Sequence, residues 1–370
     1  MTESLLTLAI FLVVFAAVVF VHELGHFAVS RILGVEVDEF GFGLPPRLVT
    51  LFRWKGTEFT LNWLPIGGFV RPRGENDPTI KGGLAAASPW TRLAVLFAGP
   101  TMNLLLGVAV FSLLFSNIGV PDYRQVQIGD VLSGSPAAQA GIQINDIVIM
   151  ANGVAVNDPG QLHDIIYASL DHPIEIQLRR GTQTVTVTAT PSSTRPVDQG
   201  ALGISMGPAL VRSPSVAKSL QYGAIAVSAQ TRLLILLPAQ LLRGQLSPEE
   251  SRLIGLKGIY DLFGQAVSRD IESRETPPAS SGAASSETPT YFTLQLIGIL
   301  TISLGVLNLF PFPALDGGRI LFVLPELVLR RRIPPEWENR LNAAGMIVLL
   351  GLMAYVNIMD FINPAVVVLP

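Results

Sequence analysis

Residues 21–26 read Val-His-Glu-Leu-Gly-His and close an apolar run that begins at Leu5. Side chains four residues apart share one face of a helix, so His22 and His26 would point the same way as two ligands for one metal ion. Glu23 would stand beside them, where it could take a proton from a water activated by the metal. Ionisable side chains in a membrane-type segment are costly and usually functional. This favours a metal site over a histidine pair that only caps a helix end and reaches the interface.

A catalytic zinc usually has three protein ligands and one open position, so a third ligand is needed. The chain has no Cys, and its other two histidines, His163 and His172, fall in a segment typical of a separate soluble domain. A carboxylate is therefore expected. Asp316 is the best candidate, because it follows a second apolar run, residues 292–310, at a break rich in Pro and Gly. Without the first motif, this Asp would be assigned to an ordinary turn at a membrane exit.

Both motifs together, residues 22–26 (His-Glu-Leu-Gly-His) and 308–317 (Asn-Leu-Phe-Pro-Phe-Pro-Ala-Leu-Asp-Gly), resemble those of the site-2 protease family of intramembrane zinc metalloproteases. Residues 99–103 (Gly-Pro-Thr-Met-Asn) and a PDZ-like segment extend the resemblance over most of the chain.

The resemblance implies one Zn²⁺ per chain, held by His22, His26 and Asp316, with Glu23 as the general base. It also implies that Asn308 holds the substrate backbone or the developing oxyanion. A second candidate for substrate binding is Asn103. On the residues alone, Asn103 could equally bond to a neighbouring helix.

The composition indicates a membrane protein with a soluble insert. Of 370 residues, 14% are charged, against about 25% in soluble proteins, and the mean hydropathy is +0.48. A net charge of -3 excludes an electrostatic case for nucleic-acid binding. Zero Cys excludes disulfides and cysteine catalysis. The N-terminus, with Glu3 and no basic residue before the apolar run, does not resemble a cleaved signal peptide.

The predicted fold is a polytopic α-helical membrane protein with four spans, a membrane-associated β element and an inserted PDZ domain of α+β class. The predicted segments are a first span with the zinc motif (1–34), a β region (35–92), a second span (93–116), a PDZ domain (121–208), an amphipathic segment (214–268), a flexible linker (269–290), a third span with the third zinc ligand (291–318), a cytoplasmic loop (319–340) and a fourth span (341–362).

Basic residues set the predicted orientation. Arg31 follows the first motif, residues 35–92 are rich in Lys and Arg, and residues 330–332 are three arginines. The positive-inside rule then places the zinc site toward the cytoplasm and the PDZ domain outside. The resemblance implies that the membrane is a bacterial inner membrane.

The β region and the PDZ-like segment offer two places for an extended peptide. An exposed strand edge in residues 35–92 could add a substrate as an extra strand, although a plain structural hairpin explains the same pattern. Residues 131–137, 140–142, 145–148 and 179–181 resemble a bacterial PDZ domain, which implies a peptide-binding groove. His163 and His172 are expected to be ordinary residues of that domain.

Residues 218–242 are apolar enough to suggest a further span, yet we expect an amphipathic helix on the outer surface. A further span would reverse the direction of residues 292–310 and carry Asp316 to the wrong side of the membrane. Arg232 near the middle would also cost about 3 kcal/mol in a span.

The sequence therefore predicts an intramembrane zinc endopeptidase that cleaves single transmembrane segments in the bilayer, with the PDZ domain screening substrates. Anti-sigma factors and remnant signal peptides are substrates that the resemblance implies, with an upstream protease of site-1 type as a partner. The alternative is a catalytically inactive, membrane-anchored PDZ binding module, which an altered metal motif would have indicated. A metal transporter would need polar residues along several spans, whereas here they cluster at one depth.

Overall fold

The computed structural model describes residues 2–194, 199–211, 215–245, 252–275 and 291–363. Two compact units form. One holds the described parts of Met1–Leu113, Leu220–Glu272 and Thr290–Pro370, and the other those of Leu114–Ser219 and Ser273–Pro289.

Nine helices and eight strands lie in the described residues. The helices are α1 (Thr2–Ile32), α2 (Pro89–Ile118), α3 (Pro136–Gln139), α4 (Pro159–Ala168), α5 (Val216–Leu242), α6 (Leu256–Glu275), α7 (Phe292–Asn308), α8 (Asp316–Leu329) and α9 (Pro335–Ile362). The strands are β1 (Val37–Trp54), β2 (Thr57–Pro72), β3 (Val120–Val131), β4 (Ile147–Ala151), β5 (Val154–Ala155), β6 (Ile174–Arg180), β7 (Gln183–Ala189) and β8 (Ile204–Val211).

Four helices in the described part of the chain are long and apolar enough to cross a membrane, but they are not the predicted four. They are Leu5–Ile32 of α1, α2, α5 and α9. The predicted third span contains only the 17-residue α7, about 26 Å long at 1.5 Å per residue. The remainder of residues 291–318 is mostly a turn that leads into α8.

Helix α5 differs most from expectation, because it lies along α2. A Cβ built on Gly223 would meet the Ser112 Oγ at 2.4 Å, and one built on Gly107 would meet the Val227 Cγ2 at 3.4 Å. The later residue of α5 contacts the earlier residue of α2, so the two helices run antiparallel. Arg232 is exposed on this helix, and the location of α5 on the outer surface stays a prediction.

Two predicted boundaries were also wrong. Helix α6 continues to Glu275, so residues 269–275 are helical and not linker; the rest of the predicted linker lies outside the described residues. Residues 319–329, predicted as loop, belong to α8, because Ile320 and Val323 pack against Leu93 and Leu96 of α2.

Strands β1 and β2 form a folded hairpin inside the predicted β region, whose association with the membrane stays a prediction. Glu39 of β1 pairs with Arg71 and also with Glu58, so the start of β1 lies between the two ends of β2. Residues 68–72 therefore form an outer strand of this element. Apolar packing of Phe40 and Val37 against Phe27 fixes the hairpin to α1.

The second unit is an antiparallel sheet with strand order β7-β6-β4-β3-β8, in which β5 pairs with β4. The sheet and the helices α3 and α4 share one core, whose fully buried members include Val126, Leu162 and Leu178. The α+β character agrees with the predicted segment, and its assignment as a PDZ domain stays a prediction. His163 and His172 are exposed on this unit.

The α2–α5 packing predicts that Gly223→Val destabilises the fold. A Cβ at this position would meet the Val108 carbonyl oxygen at 2.8 Å and the Ser112 amide nitrogen at 2.9 Å, so a side chain would force the two helices apart. We expect a loss of about 1–3 kcal/mol of stability, measured by thermal unfolding of the protein in detergent. Gly351→Val is the control, because a Cβ there meets nothing within 4 Å. Equal stability of the two variants would contradict the close contact of α5 with α2.

Candidate metal centre

Three side chains from α1 and α8 converge on one point. The Asp316 Oδ2 lies 3.2 Å from the His22 Nε2 and 3.3 Å from the His26 Nε2, and the two Nε2 atoms are 3.1 Å apart. Among the described residues these three form the one group of His, Cys, Asp and Glu side chains that could hold a metal ion. The predicted ligand set is therefore brought together across almost 300 residues of sequence.

The spacing of the three atoms fits a tetrahedral zinc. Zinc–ligand bonds of about 2.0–2.2 Å at tetrahedral angles put ligand atoms about 3.3 Å apart, close to the distances observed. The Asp316 Oδ2 is also buried without a hydrogen-bond partner. A buried carboxylate oxygen in this position is costly unless a cation satisfies it.

Each histidine is oriented through its other ring nitrogen. The His26 Nδ1 donates to the Val95 carbonyl at 2.8 Å, which leaves Nε2 free for a metal. The His22 Nδ1 lies 3.2 Å from the side-chain amide of Asn103. The Asn103 Oδ1 is buried without a partner. Rotating this side-chain amide to exchange its oxygen and nitrogen would let Oδ1 accept the His22 Nδ1 proton, which would satisfy both atoms.

This position corrects the prediction that Asn103 binds substrate. Its side chain is 0% exposed and contacts His22 from behind. Asn103 thus bonds to a neighbouring helix, which was the other reading of its sequence. Its contact can fix the ring of a candidate metal ligand, as carboxylates and carbonyls do in many zinc sites.

Gly99, to which sequence reasoning gave no separate role, lies against the two imidazoles. A Cβ at this position would lie 2.3 Å from the His26 Nε2 and 2.8 Å from the His22 Nε2. Any side chain there would occupy the space between the two imidazoles. Gly25 of α1 also has no room for a side chain, since its Cβ would meet the Ala98 carbonyl oxygen of α2 at 2.4 Å. Two glycines therefore let α1 and α2 approach closely at the level of the ligands.

A tight turn between α7 and α8 places Asp316 beside the two histidines. A Cβ on Gly317 would lie 2.2 Å from the Leu309 carbonyl oxygen, and one on Gly318 would lie 2.2 Å from that of Phe312. Only glycine permits this return of the chain, which accounts for the two glycines that follow Asp316.

Glu23 lies beside the three ligands and not among them. It lines a cavity of about 280 Å³ together with His22, His26 and Asp316, and Asn308 lines the same cavity. The Glu23 Oε2 accepts a hydrogen bond of 2.9 Å from the Val70 amide, in the outer strand of the hairpin. The strand edge thus reaches the glutamate directly.

A second cavity of about 340 Å³ opens on the other side of Glu23. Its lining is mostly apolar and comes from α1 and the hairpin, with Phe20, Phe42 and Leu61 among its members. Glu23 therefore stands between the polar space around the ligands and an apolar space large enough for side chains.

An ion pair between Arg319 and Glu75 also lines the cavity of the ligands. Sequence reasoning missed both residues. Arg319 could have been found, because it follows Asp316 by three residues on the same helix face. Glu75 is separated from it by 244 residues, and no local pattern connects them.

Comparisons with known proteins identify the family of this chain. The sequence model of peptidase family M50 matches residues 10–352. A Clostridium perfringens protein named as a zinc metalloprotease is 31% identical over 355 residues, which cover 95% of this chain and 98% of the relative. A Campylobacter jejuni protein named likewise is 32% identical over 360 residues (94% and 91%), and the metalloprotease MmpA of Caulobacter vibrioides is 26% identical over 386 residues (96% and 95%).

The chain belongs to peptidase family M50, the site-2 protease family, and it is a zinc-dependent metalloprotease.

The position of Gly99 generates a test of the metal centre. Gly99→Ala would fill the space between the imidazoles, and we expect zinc affinity to fall by at least about tenfold. Metal analysis of protein purified in detergent measures the zinc content. Gly351→Ala is the matched control, since a Cβ there meets nothing within 4 Å. Full zinc content in Gly99→Ala would show that the metal lies elsewhere.

Proposed function

We propose that this metalloprotease hydrolyses peptide bonds inside membrane-embedded segments of other proteins. The observation that carries the proposal is the location of the ligand group on an apolar helix. His22 lies about 26 Å along the run from Leu5 and about 15 Å before Ile32. A water-requiring reaction at that depth needs a polar cavity, which the space of about 280 Å³ supplies.

His22, His26 and Asp316 would hold the zinc. When bound, it supplies Lewis acidity that polarises the scissile carbonyl and lowers the pKa of the attacking water. Glu23 takes the proton of that water and passes it to the leaving amine. The hydrogen bond from the Val70 amide orients one oxygen of Glu23 and leaves the other free for the proton.

Asn308 remains the candidate for holding the substrate. It lines the cavity with Glu23 and Asp316, and its amide can both donate and accept hydrogen bonds. A donor near the scissile carbonyl would stabilise the developing oxyanion.

The outer strand, residues 68–72, suggests how a substrate reaches the glutamate. A helical substrate shields its peptide bonds, whereas an extended one can add to a sheet edge through main-chain hydrogen bonds. This edge adjoins Glu23 through Val70. The apolar cavity on the other side of Glu23 would accept a substrate side chain.

The proposed substrates and membrane orientation are those that the sequence predicts. The substrates would be membrane proteins with one transmembrane segment in a bacterial inner membrane, such as anti-sigma factors or remnant signal peptides, trimmed beforehand by a protease of site-1 type. The zinc site would lie toward the cytoplasm, and the PDZ-like unit outside would screen substrates. The inactive-module alternative is disfavoured because the three candidate ligand atoms lie within 4.8 Å of one another and Glu23 lines the same cavity.

Glu23→Gln tests the general base. We expect the cleavage rate to fall by on the order of 10² or more, because the amide cannot take the proton, while zinc content and thermal stability are kept. The measurement is cleavage of a single-span test protein in detergent, with and without a chelator, followed by mass spectrometry of the products. Glu336→Gln is the control, because Glu336 is exposed at the start of α9. An unchanged rate in Glu23→Gln would remove Glu23 from this role.

Strand addition predicts that substrate helix stability limits the rate. Two glycines weaken a helix by about 2 kcal/mol relative to alanine, which corresponds to about 30-fold in opening. A test substrate with two Gly near the cleaved bond should therefore be cut up to about 30-fold faster than the same substrate with two Ala. Competing the two substrates in one reaction gives the ratio directly. Equal rates would mean that the enzyme does not open a helix before cleavage.

A further inference from the structure

The Glu75–Arg319 ion pair lines the zinc cavity, yet no step of the proposed reaction uses it. Arg319 follows Asp316 by three residues, so both side chains lie on one face of α8. The Arg319 Nη1 donates to the Glu75 Oε1, and the two side chains are only about a quarter exposed, at 27% and 26%.

Asp316 lies at the uncapped start of its helix. It is the first residue of α8, and Leu315 before it makes no side-chain capping bond. The glycines after it pack on the carbonyls of Leu309 and Phe312, which belong to the same turn. These contacts shape the turn, but they do not set its position relative to α1, where His22 and His26 lie.

Other contacts hold this segment from the far side. The Ala314 amide donates to the Asn342 side chain of α9 at 3.2 Å. Farther along α8, Glu326 accepts from the Arg92 guanidinium of α2 at 2.8 Å. The Glu75–Arg319 pair instead connects the first turn of α8 to the hairpin that packs on α1.

Glu75 is carried by a loop whose backbone is fixed at both ends. The Leu84 amide donates to the Arg73 carbonyl at 2.9 Å, and the Ala85 amide to the Gly74 carbonyl at 3.1 Å. The loop continues β2, whose Val70 amide is bonded to Glu23. The carboxylate of Glu75 is thus a fixed reference point that belongs to the α1 side of the site.

We propose that the Glu75–Arg319 pair positions Asp316, so that it sets the distance of the third zinc ligand from the two histidines and thereby the affinity for zinc. The inference rests on the proposed zinc site. Glu75 and Arg319 are positioning residues, since neither is a ligand and neither touches the reacting atoms.

A purely electrostatic effect of the pair on zinc affinity would differ from positioning of Asp316, so the two explanations can be separated by experiment. Glu75→Gln removes a negative charge near the metal, and Arg319→Met removes a positive one. If the pair acted only through its field, the first variant would weaken zinc binding and the second would strengthen it. The double variant would then bind like the wild type.

Positioning predicts that both single variants lower zinc affinity by on the order of tenfold. The double variant should be no worse than either single one, because all three lose the same link. The measurement is competitive zinc titration of full-length protein in detergent. The visible absorption spectrum of the Co²⁺-substituted protein is the second readout, and its bands should shift in all three variants.

The matched control is Arg73→Gln, which breaks the Arg73–Glu36 pair on the same loop. Both of those side chains are about half exposed, at 50% and 52%, so zinc affinity and the Co²⁺ spectrum should stay at wild-type values. Opposite effects of Glu75→Gln and Arg319→Met, or wild-type affinity and spectrum in both, would overturn the positioning role.

The variant His22→Ala tests the zinc site independently of the positioning role of the ion pair. If wild-type protein binds one zinc and His22→Ala binds none, the site stands and the variants above decide the role of the pair. If His22→Ala keeps its zinc, the proposed site is wrong, and the positioning inference falls with it.

Discussion

The close approach of α1 and α2 at Gly25 and Gly99 is the constraint on which the metal centre depends. Two histidines on one face of an apolar helix need room for a third ligand and an ion, and any side chain at Gly99 would fill that room. The same approach places the Val95 carbonyl on the His26 ring and the Asn103 amide on the His22 ring. The two glycines, which lack a Cβ, therefore allow both the close packing of α1 on α2 and the contacts that orient the histidine rings.

Burying these polar groups in an apolar bundle is costly, and the structure satisfies them in pairs. Asn103 has the His22 ring as its partner, and His26 has a backbone carbonyl. Two buried oxygens of the site have no hydrogen-bond partner. One is the Asn103 Oδ1, which rotation of its amide would satisfy, and the other is the Asp316 Oδ2. In a medium of low dielectric constant, a carboxylate oxygen between two imidazole nitrogens is stable with a cation present. The zinc on which the family depends would satisfy this oxygen if it is held by Asp316 and the two histidines.

Local patterns in the sequence were enough to predict which side chains converge at the candidate metal centre and where the strands of the hairpin lie. The i, i+4 spacing places His22 and His26 together whatever the rest of the chain does, and alternation with Gly turns indicates strands. The path of α5 could not be predicted this way, because its contact with α2 depends on Gly223 and Gly107, which carry no periodic signal. Asn103 was ambiguous for a related reason. Its role is decided by the direction of one side chain across a helix interface.

Glu23 connects the two halves of the proposed reaction. It borders the polar cavity of the metal ligands and the apolar cavity under the hairpin, and the Val70 amide of the outer strand is bonded to it. A substrate strand laid along residues 68–72 would therefore pass the glutamate at a height set by main-chain spacing, about 3.3 Å per residue. The cleaved position would then be determined by backbone register on the edge, and the side-chain sequence of the substrate would act mainly through its fit to the apolar cavity and its readiness to leave the helix.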